Sequence, residues 1–268
     1  MRHVVAARLA LVAALMSQAR PTAAAPQPRD YFLDAPRAGT FVHGDVAFVG
    51  AQASVEHRAH LEEDVSMLQF RASGLAALGY GEVSAHADVR LMFLQVGGST
   101  GLLWAQRTYS GNDVSSTARR ARDESEGETS KIPWAETHAR LVVPMSALFL
   151  IASLALRWSD QAAETFDMVH ANVHDGGRLL RLDAILFFRD PSFGAFGPTI
   201  RYMSLPRHGG REGEVVYGFT FATRPEIKAK DDLFLLQLLV KPGDQEFGFH
   251  QLRVPVWFLL AYRASFRL

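Results

Sequence analysis

Ser84, His86 and Asp88 are the residues whose types and spacing come closest to a catalytic set. They supply the nucleophile, the base and the orienting acid of hydrolases that attack esters through an activated serine. Residues two apart on a strand share a face but lie about 6.6–7 Å apart, so direct hydrogen bonds between these side chains are out of reach unless they lean together. We therefore predict no catalytic residues and interpret the three as part of a polar strand face.

His170, Asn172 and His174, followed by Asp175, form the second chemically suggestive group. Two imidazoles on one strand face could join a metal site completed by another strand. Polar strand faces, however, often collect histidines that bind no metal. The sequence also lacks a phosphate-binding glycine loop, a dinucleotide fingerprint and a zinc-protease motif. We predict neither a metal site nor a cofactor.

Residues 83–93, which carry the first group, alternate apolar and polar side chains as far as Arg90. A period of two is typical of a β-strand, because successive side chains point to opposite faces. The pattern recurs at 135–143, 180–188 and 215–221. Each of these strands would have one apolar face and one more polar face.

Turn signals divide the chain into about a dozen candidate strands, the spacing of an all-β protein. Residues 41–54 and 166–175 are each interpreted as one strand, and the polar segment 110–131 is predicted to be a long loop. Residues 141–156 carry no charge, but Pro144 interrupts a stretch too short to span a membrane as a helix, so we predict two strands there. Counting the end of the chain as one or two strands leaves 10 and 14 open beside 12.

The N-terminal segment predicts export from the cytoplasm. Arg2 and Arg8 form a basic start, residues 9–16 a short apolar run, and residues 22–25 the small side chains that a signal peptidase requires. We expect a cleaved signal peptide, an irregular lead-in and one folded domain, at residues 1–25, 26–40 and 41–268.

The overall composition excludes some functions. Lysine plus arginine and aspartate plus glutamate both total 28, so no net field is present to recruit nucleic acid. The chain has no cysteine, which excludes disulfides and thiolate metal sites.

The end of the sequence carries a more specific pattern, since apolar and aromatic residues occupy every second position from Leu260 to Leu268. This stretch resembles the C-terminal strand of bacterial outer-membrane β-barrels, which the barrel-assembly machinery recognises. The resemblance implies that Tyr262, Phe266 and Leu268 are an assembly signal. It also implies that outer-membrane lipids and the assembly machinery are partners of the chain, which would reside in the cell outer membrane.

These patterns together predict an all-β protein, an antiparallel transmembrane β-barrel of about 12 strands that is structural or forms a narrow channel for small solutes. The alternatives are a secreted or periplasmic soluble binding domain, lipocalin-like or a sandwich, and a barrel enzyme acting on lipids. In a barrel the polar faces meet across the lumen. We predict that nine polar side chains line this lumen: Arg71, His86, Asp88, Arg90, Glu136, His138, Arg140, Arg181 and Asp183.

Overall fold

The computed structural model describes residues 37–47, 50–62, 65–77, 80–106, 129–160, 165–167, 170–190, 194–207, 210–223, 232–241 and 256–268. Within these ranges the chain forms fourteen β-strands: β1 Gly39–Ala47, β2 Gly50–Glu62, β3 Ser66–Ala77, β4 Tyr80–Leu91, β5 Leu94–Gln106, β6 Thr129–Met145, β7 Leu148–Ser159, β8 Thr165–Asp167, β9 Asn172–His174, β10 Gly177–Asp190, β11 Gly194–Arg207, β12 Gly210–Thr223, β13 Leu233–Val240 and β14 Val256–Arg267. The same ranges contain no helix that is long and apolar enough to cross a membrane.

Twelve of these strands close into one antiparallel barrel. The wall strands follow one another from β1 to β7 and from β10 to β14, and β14 pairs with β1 to complete the ring. In this closing pair Val42 lies opposite Phe266, and Val46 lies opposite Tyr262. The predicted all-β antiparallel barrel of about 12 strands is confirmed.

Residues 41–54 belong to two wall strands, so the interpretation of this stretch as one strand is wrong. β1 ends at Ala47, which lies opposite Gly50 at the start of β2. Because the connection has only two residues, the alternation of side chains shows no break in the sequence. Gly50 begins β2 directly after this connection, and a Cβ at this position would lie 2.6 Å from the carbonyl oxygen of Ala76 on β3.

Residues 166–175 are not a wall strand but most of a short hairpin, which corrects the second single-strand interpretation. β8 and β9 have three residues each and pair with each other, Asp167 opposite Asn172. Ala171 has a φ of 55°, a left-handed conformation that reverses the chain between the two strands.

Other predicted boundaries lie close to the observed ones. The predicted pair of strands within 141–156 is present as parts of β6 and β7, with the turn at residues 146–147. β1 begins at Gly39 and β6 at Thr129, so both strands reach a few residues into the predicted lead-in and loop. The predicted signal peptide, the lead-in up to residue 36 and the predicted loop up to residue 128 lie outside the described residues.

The barrel wall has an apolar outer face and a more polar inner face. In β4, Val83, Val89 and Leu91 are exposed on the outside, whereas Asp88 and Arg90 on the other face are buried or half-buried. Every wall strand contributes an exposed apolar side chain to the outer face, in chain order Val46, Val55, Phe70, Val83, Val96, Leu141, Leu154, Leu182, Ile200, Tyr217, Leu238 and Phe266.

The two ends of the barrel differ in their connections. We call the end where β1 begins and β14 ends the first end, and it includes the two-residue turns 92–93 and 146–147. The opposite, second end includes residues 107–128 and 160–176, the two longest connections between wall strands. The β8–β9 hairpin belongs to the second of these connections.

Candidate functional site

All nine residues predicted to line the lumen lie on the inner face of their strands. β4 and β6 contribute three each, β10 contributes two and β3 one. Their side chains are buried or half-buried, whereas most of their neighbours in sequence are exposed on the outer face. The structure therefore brings the whole set to the barrel interior.

A glycine on β5 allows charged side chains of β4 and β6 to meet across the strand between them. Oδ1 of Asp88 lies 2.6 Å from Nε2 of His138, although β5 separates the two strands. Gly97 is the β5 residue opposite both, and it has no side chain to keep them apart. Oε1 of Glu136 lies 3.7 Å from Nδ1 of the same histidine, so His138 lies between two carboxylates.

Gly97→Ala is expected to lower the free energy of unfolding by about 1–3 kcal/mol, because a methyl group has no room at this position. A Cβ there would overlap Oδ1 of Asp88 and lie 2.6 Å from the carbonyl oxygen of Ala87. The matched control is Gly98→Ala, whose Cβ meets only the carbonyl oxygen of Glu136, at 3.5 Å. This control is expected to change stability by less than about 0.5 kcal/mol. Urea titration of both variants in detergent micelles, followed by tryptophan fluorescence, measures the difference, and equal stabilities would contradict this role of Gly97.

Ser84 and His86 do lean together, which corrects the expectation that their side chains are too far apart. Oγ of Ser84 lies 3.0 Å from Nε2 of His86 and 2.8 Å from Oγ of Ser73. The hydrogen bond of Asp88 goes to His138. The structure therefore joins Ser84 and His86 in a polar chain and not in a serine–histidine–aspartate triad.

Sequence reasoning missed several ion pairs of the interior. Nε of Arg201 on β11 donates to Asp183 at 2.5 Å, and Nε of Arg181 lies 3.1 Å from the same carboxylate. Asp45 on β1 and Arg263 on β14 form a two-point pair, with contacts of 2.6 and 3.0 Å. The alternation places each charge on the inner face, but the partner depends on the register between neighbouring strands, which one sequence does not specify.

The β8–β9 hairpin lies inside the second end of the barrel. Ala171 at its turn is fully buried, and the backbone N–H of Asp175 donates to the carbonyl oxygen of Pro206 on β11 at 2.8 Å. Ala171 belongs to an apolar cluster of inward side chains that come from strands around the ring: Tyr80, Leu103, Trp134, Leu179, Met203, Leu205, Val216, Leu239 and Trp257. The hairpin and these side chains together fill this end of the lumen.

Polar contacts also hold the hairpin to two separate wall strands. On β7, Nη1 of Arg157 lies 3.7 Å from Oδ2 of Asp167, and its guanidinium stacks 4.1 Å from the ring centroid of Trp134. On β12, the carboxylate of Glu214 accepts a hydrogen bond from the side-chain amide of Asn172. Both strands of the hairpin are therefore anchored by buried charge-assisted contacts.

Asp167, His170 and His174 form a buried cluster within the hairpin. One ligand atom from each lies within 4.8 Å of those of the other two, and each residue is at most 3% exposed. Oδ2 of Asp167 lies 2.8 Å from Nδ1 of His170 and 3.5 Å from Nε2 of His174. Of the four residues considered from the sequence, only the two histidines belong to this cluster, because Asn172 bonds to Glu214. Asp167 was missed, although its position three residues before His170 would reveal it once a turn is assumed.

Burial and neighbouring groups set the protonation of His170 and Asp167. Burial lowers the pKa of His170 to about 3, so the ring is neutral at neutral pH. Burial alone would raise the pKa of Asp167, but the hydrogen bond from His170 and the charge of Arg157 hold that pKa well below its usual range, so the carboxylate is ionised. Nε2 of His170 is buried without a hydrogen-bond partner.

The barrel resembles solved structures of bacterial barrels, although no family model and no curated protein matches the sequence. LpxR from Salmonella typhimurium aligns with a TM-score of 0.42 and 8% identity over 86% of this chain and 100% of that one. The outer membrane protein Omp33 of Acinetobacter baumannii aligns at 0.40 and 7% over 88% and 100%. A NanC porin aligns at 0.37 and 10% over 86% and 100%. None of these TM-scores is high enough to support a functional inference.

Proposed function

We propose that this chain is an integral outer-membrane β-barrel with a narrow, charged lumen, serving as a structural protein or as a channel for small solutes. The observation that carries the proposal is the polarity of the wall. Each of the twelve wall strands exposes apolar side chains on the outside, while aspartate, glutamate, arginine and histidine are buried on the inside.

Physical chemistry favours a lipid environment for such a wall. An apolar surface around the whole ring would be a large aggregation hazard in water, since soluble monomers rarely expose more than a few hundred Å² of contiguous apolar surface. In a bilayer the same surface is the ordinary outer face of a barrel. The closed ring also pairs the backbone groups of every wall strand, which the hydrocarbon core demands. A lipocalin-like soluble domain would need the reverse polarity.

The interior supports a narrow path and not a wide pore. Ion pairs such as Asp183 with Arg201 and Asp45 with Arg263 cross-link the inner face, and the β8–β9 hairpin fills the second end. Barrels of this class have their longer loops on the outer surface. We therefore place the second end, and with it the hairpin, at the outside of the cell.

The closing strand supports outer-membrane lipids and the barrel-assembly machinery as partners. Tyr262 and Phe266 lie on β14 opposite residues of β1, and Phe266 and Leu268 are strongly exposed, at 61% and 79%. Apolar side chains in these positions are available both to lipid and to a protein that recognises the strand.

Single cysteines at Leu154 and Ser153 test the membrane assignment, because the chain has no cysteine of its own. Leu154 is exposed on the outer face in the middle of β7, and Ser153 is its inward neighbour. With nitroxide labels on the protein in lipid vesicles, we expect the label at Leu154→Cys to collide readily with oxygen and poorly with a polar nickel chelate. The label at Ser153→Cys should show a lower ratio of oxygen to nickel accessibility. A label at position 154 that the nickel chelate reaches freely would overturn the proposal, as would recovery of the protein in the soluble periplasm without detergent.

A further inference from the structure

We propose that Asp167, His170 and His174 bind a divalent transition-metal ion, Zn²⁺ in the first instance, inside the second end of the barrel. This inference goes beyond the proposed function and does not depend on it, because the three residues and their contacts are the same in any environment of the outer wall. It replaces the expectation that the chain has no metal site.

The donor set selects the class of metal. Two imidazoles and one carboxylate suit zinc and its first-row neighbours, whereas magnesium and calcium take oxygen ligands. Three protein ligands with a fourth position left for water is a common arrangement for zinc. The three residues are contributed by eight consecutive positions of one hairpin, Asp167 to His174, so a single small element holds the whole set.

The contacts of His174 direct one of its nitrogens towards Asp167. Nδ1 of His174 lies 2.8 Å from the carbonyl oxygen of Asp175, and since a carbonyl only accepts, Nδ1 carries the proton. Nε2 is the nitrogen that faces Oδ2 of Asp167, 3.5 Å away. A metal ion between these two atoms would be bound by the nitrogen lone pair on one side and by the carboxylate on the other.

The distance between these two atoms suits a shared metal ion. Two ligands of one tetrahedral zinc, each bound at about 2.0–2.1 Å, lie about 3.3 Å apart. The bond from Nδ1–H of His174 to a backbone carbonyl is also the usual outer contact that fixes a zinc-binding histidine.

His170 supplies a second nitrogen with an available lone pair. Its ring is fully buried and contributes one ligand atom to the cluster. Nδ1 lies 2.8 Å from Oδ2 of Asp167, so it is the nitrogen that would bind the metal through its lone pair, with the ring proton on Nε2. Nε2 has no hydrogen-bond partner among the described residues, so none of them holds the opposite edge of the ring, and a small shift of the ring would open the 2.8 Å contact to the spacing of two zinc ligands.

Arg157 is the positive charge that contacts the carboxylate of this site, since its Nη1 lies 3.7 Å from Oδ2 of Asp167. The arginine has two other partners, however. Its Nη2 lies 3.6 Å from Oε2 of Glu82, and its guanidinium rests on the ring of Trp134. Arg157 can therefore keep its place when Asp167 coordinates a metal, and two carboxylates then share the two cations.

The experiment uses the untagged full chain, purified in detergent and stripped of metal with a chelator. Titration with Zn²⁺ against a chromogenic chelator should show one tight site per chain. His174→Asn and Asp167→Asn should each weaken Zn²⁺ binding at least tenfold. The matched control is His57→Asn, a change to an exposed histidine on the outside of β2, which should leave the affinity unchanged. Wild-type binding no tighter than that of a His170→Asn/His174→Asn double variant would overturn the proposal.

Two further measurements keep the test independent of folding. Heat-dependent migration in gels establishes that each variant retains the barrel. X-ray absorption at the zinc edge of the wild-type protein should show scattering from two imidazole rings, with Zn–N distances of about 2.0–2.1 Å. A zinc environment without histidine would overturn the assignment even if the affinity were high.

Discussion

Replacing residues 165–174 with a short glycine–serine linker is expected to raise the single-channel conductance of the reconstituted protein several-fold. The reason is that the β8–β9 hairpin, with Ala171 buried against side chains from around the ring, fills the second end of the lumen. Planar-bilayer recordings of wild type and variant at the same salt concentration measure the change. Wild type is expected to pass little current, since ion pairs also cross-link its interior.

The control for this deletion is removal of the same number of residues from within 107–128, the other long connection at the second end. That variant should conduct like wild type. Removing the hairpin takes away the contacts that Asp167 makes with Arg157 and that Asn172 makes with Glu214. Heat-dependent gel migration must therefore establish that the barrel still forms. An unchanged conductance in a folded hairpin variant would show that the barrier lies elsewhere and would leave only the structural role.

Leu154→Arg is expected to lower the free energy of unfolding from lipid vesicles by about 2–4 kcal/mol, the usual cost of a cation on the outer face at the middle of a bilayer. Leu154 is 44% exposed on β7, far from both ends of the strand. If the barrel were a soluble domain, the same change would place a charge in water and cost little. Guanidinium titration in vesicles, with tryptophan fluorescence as the readout, separates these outcomes.

Leu61→Arg is the matched control for the depth of the substituted residue in the bilayer. Leu61 is also an exposed leucine, at 60%, but it lies near the first end of the barrel, at the end of β2. An arginine there can reach the interface, so the expected cost is about 0–1 kcal/mol. Similar costs at the two positions would contradict a membrane centred on the middle of the wall.

The alternation of side chains was enough to predict the wall but not what the wall encloses. Val83, Ser84, Val89 and Arg90 each lie on the face that the period of two assigns to them, because burial on one side only is a local property of a strand. The hairpin does not follow from this pattern, since Phe166 to Asp175 has the composition of another strand. Its inward placement depends on contacts with distant residues such as Glu214, which a strand pattern does not encode.

The candidate site illustrates the same limit. His170 and His174 were recognised as ligand types, but their partner Asp167 joins them only because the chain reverses at Ala171. In the same way, Asp88 meets His138 only because the β5 residue paired with both of them is Gly97, which has no side chain. The type of a residue and the strand face that it occupies can be predicted from the local sequence, whereas the interaction partner of its side chain depends on how the strands pair.

The pairing of β1 with β14 also determines how such a wall can be made. Most neighbouring strands are joined by short connections and can pair as soon as they are synthesised, but Asp45 and Arg263 in the closing pair are 218 residues apart in sequence. Until that pair forms, the sheet has two open edges whose unpaired N–H and C=O groups can form hydrogen bonds with other chains. Contacts of such sequence separation form slowly. The long-lived intermediate of assembly should therefore be an open sheet, and a catalyst of insertion would act by holding its two edges until they meet.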